Sequence, residues 1–149
     1  MRTFANPEEL AKSVGEQLGY SEWHTVDQDR VNGFADATDD HQWIHVDPER
    51  AAAGPFGAPI AHGYLTAALL PAFMRQIYRV EARMAVNYGL NKLRFPAPVR
   101  VGSSVRAVAR LVEVTKVADA VQVVSRVTVE IQGEPKPAVV AETVGRFYL

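Results

Sequence analysis

The chain has 149 residues, 16 Lys plus Arg against 17 Asp plus Glu, no cysteine, and an apolar fraction of 48%. This length suits one domain, residues 1–149, with a sizeable buried core and the composition of a soluble globular protein. The near-neutral charge without a basic block excludes the footprint of a nucleic-acid binder. The missing cysteines exclude disulfides and thiolate metal sites, which suits a cytoplasmic location.

The N-terminus, MRTFANPEELAKSVGEQ, has acidic residues where a signal peptide needs an apolar run. It reads instead as a helix capped by Asn6, with Pro7 at its first position, Glu9 at its third, and Gly19 ending the region. Glu22 to Val26 follows as a short strand. Asp27 then caps a second helix with Val31, Phe34 and Ala35 on one face. Asp47-Pro48 opens a brief helix through the alanines that stops at Gly54-Pro55. PFGAP is a loop, and His62 to about Val80 reads as the main helix, apolar nearly all round and kinked at Pro71. Its longest apolar stretch, Tyr64 to Met74, is too short to span a bilayer.

The second half reads as strands: Met84 to Phe95 with a bulge at Gly89, Val105 to Thr115, Val121 to Ile131, and Val139 to Tyr148. A buried helix followed by an antiparallel meander is an α+β plan, a sheet wrapped over a long central helix. One such sheet leaves an open edge and apolar surface, which predicts a homodimer joined edge to edge or a higher assembly.

Chemistry concentrates between Phe34 and Leu70. Asp40 and His45 stand five apart, and a carboxylate and an imidazole at that spacing can converge on one water as an acid/base pair. The bland alternative is a turn-capping Asp40 and a satisfied core histidine. His62-Gly63 opens the long apolar segment, where a glycine can offer its bare N–H to a developing oxyanion. His62 either contacts the loop that carries Asp40 or hydrogen-bonds backbone and fixes the helix start. His41 and His45, four apart, have the spacing of a helical zinc pair, but no clear third ligand follows. His41 is therefore read as a surface residue and no metal is expected. Asn87, Asn91 and Arg94 lie on one strand, as substrate contacts or as exposed polar residues alternating along it. No G-x-S-x-G, P-loop or G-x-G-x-x-G occurs.

The run D40-HQWI-H45-VDP-ERAAAGPFGAPIA-H62-G63, with YGLNKLRFPAPVRVG after it, resembles the MaoC-like hydratase/dehydratase family of hot-dog-fold proteins, which includes the R-specific enoyl-CoA hydratases. The match covers Phe34 to Gly102 in motif and the remaining strands in pattern. The resemblance implies a hot-dog fold, catalytic Asp40 and His45, and hydration of a trans-2-enoyl thioester to the (R)-3-hydroxyacyl thioester. It implies substrate contacts at His62, Gly63, Asn87, Asn91 and Arg94, the last able to meet a CoA phosphate. No cofactor is implied, since CoA or acyl-carrier pantetheine belongs to the substrate. Two positions depart from the family. Asp39 stands where glycine is common, and Pro71 stands where short-chain members carry a serine. A thioesterase on the same fold and a non-catalytic acyl-binding subunit are the rivals.

Overall fold

The computed structural model describes residues 1–149. Strand β1 (Arg2–Phe4) leads into helix α1 (Pro7–Ala11), where Asn6 Oδ1 accepts the Glu9 N–H at 2.8 Å. The turn falls at Gly15, not Gly19. Gly15 takes φ 90° and donates its N–H to Leu111 O. Gly19 instead lies inside an unexpected strand, β2 (Gln17–Tyr20), at a register shift. Strand β3 (His24–Thr25) is the core of the expected Glu22–Val26 segment. Asp27 caps helix α2 (Gln28–Thr38), which buries Val31 and Ala35.

Two short helices follow, α3 (Trp43–Val46) and α4 (Pro48–Ala52), the second capped by Asp47. The expected helix from His62 to Val80 is corrected in two ways. It is divided into α5 (Gly63–Ala68) and α6 (Leu70–Ile77), and it ends early because Tyr78–Val80 forms strand β4. Strand β4 pairs in parallel with β1, a contact made from the far end of the chain. Pro71 sits in the first turn of α6, where its missing N–H would have had no partner anyway. No helix is long and apolar enough to cross a membrane.

The remaining strands, β5 (Met84–Arg94), β6 (Ser104–Val117), β7 (Ala120–Ile131) and β8 (Val139–Tyr148), end within two residues of their expected limits. The sheet order is β2–β6–β7–β8–β5, antiparallel throughout, with β3 also against β6. Alternation in β6 buries Val105, Ala107, Ala109 and Leu111, and β7 adds Val123, Val127 and Val129. Phe73 and Ile77 of α6 belong to the same core. This is the hot-dog fold, an α+β sheet wrapped around a central helical segment.

Strand β5 is one edge of the sheet, opposite β2. It pairs with β8 on one side only, and Met84, Val86, Tyr88 and Leu90 are exposed along it. Its register slips between Asn87 and Gly89, as expected from Gly89, and again between Leu90 and Lys92.

Candidate functional site

The site forms where the turn after α2 meets the start of α5. Helix α2 ends at Asp39, which adopts the left-handed conformation with φ 61°. That accounts for the departure from glycine, since aspartate is among the few other residues that visit this region. The Asp39 side chain is exposed.

Asp40 follows on the loop, 51% exposed at its side chain. Its Oδ1 lies 3.5 Å from the Gln42 N–H. His45, on α3, is buried, with Nδ1 2.7 Å from the Ile60 carbonyl. A carbonyl only accepts, so Nδ1 carries the proton and Nε2 keeps its lone pair. The Gln28 side chain donates to His45 O at 2.8 Å, and Ile60 N donates to Ile44 O at 3.0 Å, which fixes α3 against the PFGAP loop. Burial lowers the His45 pKa below 6.5, aided by nearby His62 and opposed by the Ile60 hydrogen bond and the Asp40 charge. The imidazole therefore keeps its neutral form to lower pH than a free histidine does.

His62 precedes α5 and is only 2% exposed. Its Nε2 donates to the Asp40 backbone carbonyl at 2.9 Å and lies 4.0 Å from Asp40 Oδ2. Its ring stacks on His45, with centroids 3.8 Å apart and planes at 22°. One ligating atom from each of Asp40, His45 and His62 lies within 4.8 Å of the others. The geometry joins both expectations for His62, because it contacts the loop through that loop's backbone. Such a trio is chemically able to ligate a metal. Yet each ring gives one nitrogen to a backbone carbonyl, and near-parallel rings do not aim their lone pairs at one point. The His41–His45 zinc pair is not formed. His41 lies outside α3 and pairs with Asp36 at 2.8 Å, a contact that raises its pKa.

Gly63 is the first residue of α5, and its N–H donates to no backbone carbonyl. A side chain there would meet more than substrate. A Cβ on Gly63 would fall 2.6 Å from the Phe95 ring. Beside it lies a cavity of about 290 Å³ bounded by Phe56, Ile60, Gly63, Thr66, Phe95 and Val99. A wider, shallow depression of about 530 Å³ lies over α2 and Leu65, lined by Asp27, Asp29 and Arg30, so the cavity beside Gly63 is the more enclosed and the more apolar in its lining residues. Trp43 packs on Gly54 and under Arg50.

The β5 residues do not join this group. Asn91 donates to Glu142 at 2.9 Å, Arg94 donates to its neighbour's carbonyl, Leu93 O, and Asn87 is exposed. None of the three lines the cavity. Sequence reasoning missed Phe95 and Ile60 as neighbours of the site. The apolar RFPAP and GAPI segments were the available signals.

The family model described as "MaoC like domain" matches residues 9–132. The chain belongs to the MaoC-like dehydratase family. It is an enzyme of that family, a hydro-lyase. It is 57% identical over 149 residues, covering 99% of each chain, to the 3-hydroxyacyl-thioester dehydratase Z of Mycobacterium tuberculosis (strain CDC 1551 / Oshkosh). Among solved structures, a monoamine oxidase regulatory protein from Archaeoglobus fulgius superposes with TM-score 0.79 at 25% identity, over 99% of this chain and 96% of that one. An (R)-hydratase from A. caviae involved in PHA biosynthesis superposes with TM-score 0.69 at 27% identity, over 89% of this chain and 94% of that one. Within a MaoC-like fold, then, the Asp40–His45–His62 group adjoins the free helix-start N–H of Gly63, and Gly63 in turn lines an apolar cavity that the three residues do not.

Proposed function

We propose that this protein is an R-specific enoyl-CoA hydratase that adds water reversibly to a trans-2-enoyl thioester, giving the (R)-3-hydroxyacyl product. The carrying observation is the convergence of Asp40 with His45, whose Nε2 is left as a bare acceptor. The similarity to a 3-hydroxyacyl-thioester dehydratase and to an (R)-hydratase supports the substrate class and the hand.

Hydration needs a base for water, an acid for the α-carbon, and a donor for the enolate oxygen. In this reading one water is held between the Asp40 carboxylate and His45 Nε2. As the water oxygen bonds to the β-carbon, its proton passes to the pair. Burial makes an imidazolium costly at His45, so the proton does not rest there and returns to the α-carbon. The Gly63 N–H meets the thioester oxygen as charge develops on it. The acyl chain enters the cavity beside Gly63. The chemistry calls for no metal or redox cofactor, and CoA or acyl-carrier pantetheine arrives with the substrate.

The acting unit is a homodimer in one domain architecture, residues 1–149. The open edge of β5 and its exposed Met84, Val86, Tyr88 and Leu90 support pairing of two copies there. In this reading Asn87 and Arg94, exposed on that same strand and away from the cavity, meet the carrier portion of the substrate.

Crotonyl-CoA turnover by the purified chain tests the reading. Loss of enoyl absorbance without free thiol is the expected result. Release of free thiol would mean a thioesterase, although α5 and α6 hold no carboxylate for that role. No reaction would mean an acyl-binding subunit.

A further inference from the structure

From the geometry around residue 62 we infer that His62 is a positioning residue, one that holds Asp40 by its backbone and His45 by its ring face. The inference rests on the reading of Asp40 and His45 as the water-holding pair.

Asp40 lies in a loop with little else to fix it. The hydrogen bond from His62 Nε2 is the one that ties residues 39–42 to a part of the chain beyond α2 and α3. The neighbouring Asp39 holds a left-handed conformation that most side chains disfavour. The Asp40 carboxylate is half exposed and meets no side chain at hydrogen-bond distance, so only its backbone is anchored. A clamp on that carbonyl fixes where the Cα–Cβ bond starts and so limits the region the carboxylate can reach.

The same ring covers one face of His45, while Phe34 stands 4.9 Å from His62. With Nδ1 of His45 bonded to Ile60 O, the stack leaves that imidazole little freedom to rotate. The tautomer of His62 follows from its partner. A carbonyl demands the proton on Nε2, so Nδ1 is bare, buried and without a hydrogen-bond partner. An unpaired buried acceptor is a cost, one that His24 Nε2 carries as well, and leucine would fill the space at position 62 without it.

The experiment compares His62→Leu with His62→Gln, beside Asp40→Asn and His45→Gln, in crotonyl-CoA turnover. Glutamine keeps an amide N–H near the position of Nε2 and leucine does not. His62→Leu should lower kcat by ~10–100-fold, the range for groups that orient a reacting side chain, with KM within about twofold. His62→Gln should recover most of that loss. A His62→Leu enzyme with native kcat, or a His62→Gln enzyme no better than His62→Leu, overturns the inference. Nitrogen NMR of the native protein supplies a reading that needs no variant. The neutral form of His62 should show a protonated Nε2 and a bare Nδ1, and the opposite tautomer overturns the inference even if both variants fail to fold. Full activity in Asp40→Asn and His45→Gln would instead overturn the reading beneath it.

Discussion

Two segments carry the candidate residues, and they are built in opposite ways. Between Asp40 and Gly63 the two histidines and the glycine are tied inward, and Asp40 is tied by its backbone. His45 is bonded to Ile60, His62 is bonded to Asp40, and Gly63 lies under Phe95. Along β5 the named residues are exposed, and Asn91 is occupied by Glu142. The first segment is held by contacts within the chain. The second has a free edge and an apolar stripe, the features on which the proposed pairing of two copies rests. The difference separates chemistry, which needs pre-arranged groups, from assembly and substrate reach, which can be made on contact.

That contrast breaks first at the pair. Asp40→Asn and His45→Gln should each lower kcat by at least about a hundredfold, the usual range for acid/base groups. Asn87→Ala should stay within a few-fold of native in the same assay. A larger loss at Asn87 than at Asp40 would reverse the account.

Gly63→Val should lower kcat by about a hundredfold, in the range for losing an oxyanion donor. The valine also collides with Phe95. Adding Phe95→Ala removes the collision but leaves the crowding of the thioester oxygen. Activity should therefore stay low in Gly63→Val/Phe95→Ala. Recovery would mean that Gly63 serves packing alone.

Leu90→Lys places a charge on the apolar edge of each copy. Sedimentation or light scattering should show the dimer weakened by at least about tenfold, since like charges brought together at an interface cost several kcal/mol. A native assembly in this variant would move the interface off β5.

Asp39→Gly should give the smallest effect. Glycine accepts φ 61° without the side-chain penalty, at most about 1–2 kcal/mol, set against about 0.5–1 kcal/mol for its greater freedom when unfolded. Urea melts should show equal or slightly raised stability, with kcat unchanged.

The legible parts of the chain share a reason. Strands β6, β7 and β8 alternate over ten or more residues, so one face had to be buried. Caps at Asn6, Asp27 and Asp47 act within four residues and are readable locally. The β1–β4 pairing joins Arg2–Phe4 to Tyr78–Val80, and nothing near Tyr78 in sequence marks it as a strand rather than a last helical turn. At the site, the Asp40–His45 spacing and His62-Gly63 were visible as residue types. Their partners were not. Ile60 and Asp40 act through carbonyls that every residue possesses, and Phe95 reaches Gly63 only because the chain after β5 folds back over α5.

The central claim is that Asp40 and His45 work as one unit on one water, and the double variant tests it most directly. If they do, Asp40→Asn/His45→Gln should be little slower than the slower single variant in crotonyl-CoA hydration, because removing either member already disables the unit. Losses that multiply, with the double variant slower by the product of the two single effects, would contradict a shared water and assign the two residues to separate tasks.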